Sequence, residues 1–308
     1  MKLRLLPFLF LPLAAADADA DTFGSGVNQF NMDFVTVGNA GNVDDDTGYG
    51  SVAHNYRIGK YEVSESMIAS YNALSGGPSI SPTARGAAKP AGNLNWNEAA
   101  RFVNWLNTSK GYSPAYKFTT NGGNDNISLW TGADAGYDAS NPFRNSKANY
   151  FLPSEDEWYK AAYYDPTKNG GTGGYWNYAT GSDTAPTAVA GGTASGTAVY
   201  GQTVAAAPAN VTNAGGLSPY GTMAQSGNVS EWNESGATAP NDSATEQRVY
   251  RGGYWANPSF SLSPTGRGSV QPDGEGDAIG FRVAAVPEPS AWILGLLGMT
   301  GMVLRRKR

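Results

Sequence analysis

Apolar residues along this chain recur with two periods, and the change from one to the other marks most of the elements. Phe34-Val-Thr-Val-Gly38 and Tyr56-Arg-Ile-Gly-Lys-Tyr-Glu-Val63 are rich in β-branched and aromatic residues and predict strands. Ser64 then caps a helix that runs to about Leu74, and residues 75–94 read as a Gly/Pro/Ser linker. Asn95-Trp-Asn-Glu98 starts a second helix, with Asn95 as cap and Glu98 three residues on. Its Trp96, Ala99, Ala100, Val103 and Leu106 fall on one face, widened by Phe102 and Trp105, so these aromatics read as core. Leu152-Pro-Ser-Glu-Asp-Glu157 repeats the cap signature at Ser154 and Glu157; capping explains Glu155 and Glu157 without acid–base chemistry, which is the other reading of a carboxylate pair.

The last third of the chain is organised around Arg248–Ala284. Arg248-Val-Tyr-Arg251 alternates like a strand, breaks at Gly252-Gly253, and is answered by Gly280-Phe-Arg-Val283. Between them lies a long aperiodic stretch of Ser, Pro, Gly, Asn and Asp punctuated by Tyr254, Trp255 and Phe260. It predicts a loop held between two strands, and loops of such length in a compact domain are usually functional or disordered. Residues 108–149 are irregular and suggest no function. Tyr175–Gly216, rich in Ala, Thr and Gly, reads as a low-complexity connector. No internal repeat and no convincing boundary divides 21–286, which reads as one domain.

Composition narrows the chemistry. With 40 Gly in 308 residues and 15% charged residues, the body is loop-rich rather than a helical bundle. The net charge of -5 argues against a nucleic-acid partner, which would need a basic stripe. There is no Cys, hence no disulfide, thiolate metal site or thiol nucleophile, and His54 is the only histidine, which excludes a two-His iron or zinc site within one chain. Asp44-Asp-Asp46 reads as a solvated loop rather than a calcium loop, whose ligands alternate along the chain.

Both ends read as addresses. Residues 1–20 carry Lys2 and Arg4, the apolar Leu5–Leu13 and the small residues Ala14–Ala20, the three parts of a secretory signal peptide cleaved between Ala16 and Ala20. Residues 287–308 join Pro287-Glu-Pro289 to the apolar Ala291–Leu304 and the basic Arg305–Arg308. The apolar run is short of the roughly 20 residues of a self-sufficient span, and the basic cluster would hold its tail in the cytoplasm. This end resembles the PEP-CTERM sorting signal, with Pro287, Glu288 and Pro289 at its core. The resemblance implies an exosortase-type transpeptidase as partner, transient anchoring in the inner membrane, and a final place on the outer surface or in the exopolysaccharide matrix of a Gram-negative bacterium.

Three motifs, in order, identify the body. Tyr150-Phe-Leu-Pro-Ser-Glu-Asp-Glu-Trp158, Gly227-Asn-Val-Ser-Glu-Trp232 and Arg251-Gly-Gly-Tyr-Trp255 with its later Gly280-Phe-Arg282 resemble the R-L-P-T-E-A-E-W, G-N-V-W-E-W and R-G-G-S-W…G-F-R patterns of the formylglycine-generating-enzyme (sulfatase-modifying factor) family. The resemblance implies an α+β, irregular, loop-rich fold shared with C-type-lectin-like domains, with short strands and a few helices. It implies a calcium-type cation held by the Gly227 and Val229 carbonyls and the Glu231 carboxylate, and a second cation position at Asn177. The pattern is not intact: Ala224 stands where the family has Asp or Asn, Ser230 where it has its first Trp, and Asn177 has no evident acidic partner.

The family's two copper-binding cysteines fall at about Asn257 and Leu262, and neither supplies the soft thiolate that Cu(I) selects. No copper is expected and no catalytic residue is assigned. What remains is a late loop whose Tyr254, Trp255, Asn257, Ser259, Ser261, Arg267 and Ser269 offer amphipathic area and short hydrogen-bonding groups, as adaptable binding surfaces do; Trp255 reads equally as core. The expected function is an exported, non-catalytic binding module for a glycan or protein ligand. The alternatives are an oxidoreductase that uses other groups on the same scaffold and a structural matrix protein.

Overall fold

The computed structural model describes residues 19–120 and 127–287. The apolar part of the leader, the 121–126 part of the insert, and Glu288, Pro289 and the rest of the C-terminal tail lie outside the described residues. In chain order the elements that build the frame are β1 (Asp19–Phe23), β2 (Phe30–Val37), β3 (Tyr56–Gly59), α1 (Glu65–Leu74), α2 (Trp96–Ser109), β4 (Tyr150–Phe151), α3 (Glu155–Tyr163), β5 (Ser230–Gly236), β6 (Arg248–Arg251), β7 (Arg267–Val270), β8 (Ile279–Gly280) and β9 (Ala284–Ala285). Few helices, short strands and long connections make the α+β, loop-rich body that the sequence predicts.

Two sheets organise these elements. The first runs β1-β2-β3-β9-β4, all antiparallel, so the last strand of the domain enters between β3 and β4 and brings both ends of the body together. Strand β1 begins at Asp19, inside the segment read as a leader, and pairs Asp19 with Phe34. The second sheet runs β7-β6-β5-β8, with β8 parallel to β5 and the other pairs antiparallel. The chain passes from β8 in one sheet to β9 in the other through Phe281-Arg-Val283. That run therefore does not form one continuous strand.

The helices start where their caps require. Asn95 accepts from the Glu98 amide at 2.9 Å while Glu98 accepts from the Asn95 amide at 3.0 Å, a reciprocal box repeated by Ser154 and Glu157 at α3. The predicted face of α2 is buried throughout, and Phe102 meets Phe281 edge-on at 5.5 Å. Each such aromatic contributes about 1.5–3 kcal/mol by leaving water.

Two readings need correction. Arg267–Val270, aperiodic in sequence, is a strand, because it pairs with β6 over four residues; the long loop is thus a hairpin with an extended tip followed by a second, shorter connection. Tyr175–Gly216 is no loose connector: Val199, Ala209 and Ala214 are buried with Met223, Val229 and Trp255 in a satellite core. The irregular insert is fastened at its end by Arg144. Its guanidinium donates to both oxygens of Glu157 at 3.1 and 2.9 Å and, through Nε, to Glu234 at 2.9 Å, joining the insert to α3 and β5.

Burial alone would push the Glu157 carboxyl up, but the Arg144 guanidinium outweighs it and, with hydrogen bonds from His54 and the Ser154 amide, holds it well below the usual carboxylate range. A depressed carboxylate stabilises the fold above its unfolded value of about 4.3 and loses that contribution as pH falls below it. Arg144→Met is therefore expected to cost about 3–5 kcal/mol near neutral pH, since it strands buried carboxylates. Urea titrations should show the gap between wild type and variant narrowing as pH drops from about 5 to about 3. A gap that is small at neutral pH, or constant across the window, contradicts this account.

Candidate functional site

Strand β6 ends at Arg251, and the next two residues turn the chain off the sheet with φ of +96° at Gly252 and +69° at Gly253. Both lie in the left-handed region that favours glycine, and a Cβ on Gly252 would sit 3.1 Å from the Trp158 ring. From there the segment is held chiefly through its backbone. The Gly252 carbonyl accepts from the Gly227 amide at 2.8 Å, the Trp255 amide donates to Asn228 at 3.0 Å, and the Trp255 and Asn257 carbonyls accept from the Gln202 and Gly201 amides at 2.8 and 2.9 Å. The Tyr163 hydroxyl donates to the Leu262 carbonyl at 3.0 Å, and Arg251 Nη1 donates to Pro264 at 2.7 Å.

The charged support is a single carboxylate with two cations. Glu155, the first residue of α3, accepts from Arg251 Nε at 2.6 Å and from Arg267 Nε and Nη2 at 2.8 and 3.1 Å. Arg251 is buried under the ring of Tyr49, 4.7 Å from its centroid. Asp156 lies close enough to Arg251 to feel its charge, and Asp46 lines the same hollow as both arginines, so the corner is close to charge balance.

Between the 253–268 and 276–279 segments opens a cleft of roughly 700 Å³. Trp255 and Ser230 form its buried side, and Phe260 and Val204, 71% and 76% exposed, its outer lip. The remaining wall comes from Arg85, whose guanidinium lies 4.7 Å from the centre of the Trp255 ring and donates to the Asp277 carbonyl at 2.8 Å. Arg85 belongs to the stretch read as a linker. Glu65 fixes that stretch by accepting from the Arg85 amide, the Gly86 amide and the Thr83 hydroxyl at 2.8, 2.8 and 3.0 Å.

Of the residues singled out from sequence, Tyr254, Trp255, Asn257, Ser261 and Arg267 line this cleft. Ser259 lies in the short 3-10 turn Ser259–Leu262 and Ser269 on β7, its hydroxyl donating to Gln247 at 2.9 Å; neither lines it. Trp255 joins both of its sequence readings, since it is 3% exposed in the satellite core and still forms the cleft wall. Arg85, Asp277, Tyr250 and Val204 were not legible, because each reaches the cleft from a segment distant in sequence or from the partner strand.

The Glu231 carboxylate does not fit a divalent cation. Glu231 is completely buried, and its carboxylate accepts from Arg282 Nε and Nη2, each at 2.5 Å, and from Trp158 Nε1 at 2.7 Å. A guanidinium bound through both oxygens already neutralises that carboxylate and occupies the side a divalent ion would need. Gly227 is the turn that enters β5, Val229 is buried in the satellite core, and Asn177 lies exposed at the surface with its amide on Asp183 at 3.1 Å. Among the described residues no group of three or more His, Cys, Asp or Glu is arranged to hold a metal. Copper fits no better: Asn257 offers an amide already accepting from the Tyr254 amide at 2.9 Å, and Leu262 is buried alkyl.

The family model for the sulfatase-modifying factor enzyme 1-like domain matches residues 20–286. No curated protein matches the sequence. Among solved structures, Treponema denticola variable protein 1 is 20% identical with a TM-score of 0.57, over 87% of this chain and 99% of its own. The crystal structure of CarF gives 22% and 0.51 over 83% and 99%. PvdO from Pseudomonas aeruginosa gives 17% and 0.52 over 87% and 98%. At such identities these likenesses establish the fold.

Because Glu231 serves Arg282 rather than a cation, Glu231→Gln is expected to destabilise the protein by about 3–5 kcal/mol, the usual effect of stranding a buried charge. Calcium or a chelator should leave the thermal midpoint of the wild type unmoved. A midpoint that rises with calcium in the wild type but not in the variant would overturn this assignment.

Proposed function

The chain belongs to the sulfatase-modifying factor enzyme 1-like domain family, and from that membership we propose that it works as a non-catalytic ligand-binding module outside the cytoplasm. The observation that carries this reading is the cleft itself: aromatic, hydroxyl, amide and guanidinium groups converge on one open concavity, where the resembled enzymes would need two thiolates. Its lip presents Phe260 to solvent while its base is fixed by backbone hydrogen bonds, the combination of rigid support and exposed anchor found at binding hot spots. Export is supported by the tripartite 1–20 segment and by the Pro-Glu-Pro, apolar and basic tail from Pro287 onward. That tail supports sorting by an exosortase-type transpeptidase and a final location at the outer surface or in the matrix.

The test is saturable binding of the full chain to a panel of glycans and surface proteins, with Phe260→Ala in parallel. Phe260 is exposed, so its truncation should leave the urea midpoint unchanged while weakening binding at least about tenfold, or roughly 1.4 kcal/mol. Saturable binding indifferent to Phe260 would move the site elsewhere on the molecule. The complete lack of saturable binding would favour a structural matrix role.

A further inference from the structure

The lining of the cleft narrows the class of ligand, and this step rests on the binding role proposed above. Trp255 is 3% exposed, and its indole Nε1–H meets no acceptor among the described residues. That nitrogen is buried with the ring, so what Trp255 offers the cleft is a fixed aromatic wall. Ser230 lines the same cleft where the resembled motif carries an indole. Its hydroxyl adds a donor and an acceptor to the lining. Tyr254 and Phe260 supply aromatic surface, and Ser261 and Thr265 supply further hydroxyls, so the lining suits a ring with an apolar face and hydrogen-bonding edges.

The charge is set by an arginine. Arg85 has one guanidinium face against Trp255, and its side-chain partner is the Asp277 carboxylate, 3.4 Å away and 74% exposed. An ion pair so long and so wet is weak, and a ligand carboxylate of matching fork geometry can displace it.

We propose that the cleft binds an acidic sugar, a pyranose residue bearing a carboxylate, with its ring against the aromatic lining and its carboxylate on Arg85. The open outer side leaves room for the residue to be part of a longer glycan. The experiment is calorimetric titration of the full chain with tetragalacturonate, its methyl ester and a neutral glucan tetramer, repeated on Arg85→Met and Trp255→Phe. The acid is expected to bind at least tenfold more tightly than ester or glucan. Arg85→Met should abolish that preference, and Trp255→Phe should weaken acid and ester alike.

Trp255 is packed in the satellite core, so urea midpoints accompany each titration, and the exposed lip variant Phe260→Ala provides an independent report on the cleft. Equal binding of acid and ester, or an acid preference that survives Arg85→Met, overturns the acidic-sugar assignment while leaving the cleft as a binding site. The assignment falls in the same way if none of the three sugars binds but another ligand binds in a Phe260-dependent way. If nothing binds saturably in a Phe260-dependent way, the binding role itself fails, and the acidic-sugar assignment with it.

Discussion

The structure turns on one buried ion pair. Arg282 leaves β8 in the second sheet just before β9 in the first, and its guanidinium closes on Glu231 of β5 through both oxygens. The same guanidinium donates to the Gly59 carbonyl at the end of β3 and to the Met223 carbonyl ahead of β5, each at 2.8 Å. One side chain therefore ties the two sheets together at a fixed distance. Removing both charges from water is expensive, and a buried pair is weak grounds for net stability. Its contribution is positional: with two strand ends and two carbonyls on one planar group, only one arrangement satisfies every donor.

The cleft inherits its shape from that joint. One wall hangs from β6 and β7, the other follows from the entry to β8, and both β6 and β8 flank β5, the strand that carries Glu231. Strand β5 is polar in sequence yet almost wholly buried, because its charged residues are spoken for: Glu231 by Arg282 and Trp158, Glu234 by Arg144 and Tyr116. Glu62 sits against this cluster, accepting from Asn228 Nδ2 at 2.6 Å; burial and the neighbouring Glu231 push its carboxyl well above the usual range, while Arg282 opposes them. A carboxyl shifted upward favours folding most below its unfolded value and loses ground as pH rises, the reverse of Glu157. The two therefore act in opposite directions on acid stability.

What sequence reveals here is local, and what it conceals is pairing at a distance. Capping boxes at Asn95 and Ser154 are read within four residues, and so are the helix faces behind them. Strand β7 is concealed because Arg-Gly-Ser-Val has no alternation of its own; it is a strand only because β6 lies beside it. The insert and the 75–94 stretch look featureless because their order comes from single charged residues that bond across the chain, Arg144 from the insert to α3 and β5, and Glu65 from α1 to the stretch. The same holds for the site: the loop aromatics stand out, whereas Arg85 reaches the cleft from the other end of the domain. The motif residue Glu231 is legible as important, but its partner decides its role, and that partner is a cation from the chain itself.

The way the cleft is held explains how its lining can vary on a constant scaffold. Most of the bonds that fasten the 252–266 segment use its backbone: carbonyls of Gly252, Trp255, Asn257, Leu262 and Pro264 accept from amides, a hydroxyl and a guanidinium outside the segment. Backbone atoms are indifferent to most side-chain replacements, so residues facing the cleft can change without loosening the segment, provided Gly252 and Gly253 keep their left-handed turn. Of the side chains that do fasten it, Arg251 with Glu155 and the buried Leu262 point away from solvent, while Trp255 packs in the satellite core and also forms the cleft wall. Apart from Trp255, support and surface are thus carried by different residues. That separation lets Asn257 hold an amide and Leu262 an alkyl group while the concavity stays formed, and it is the physical reason that a scaffold of this kind constrains its site so loosely.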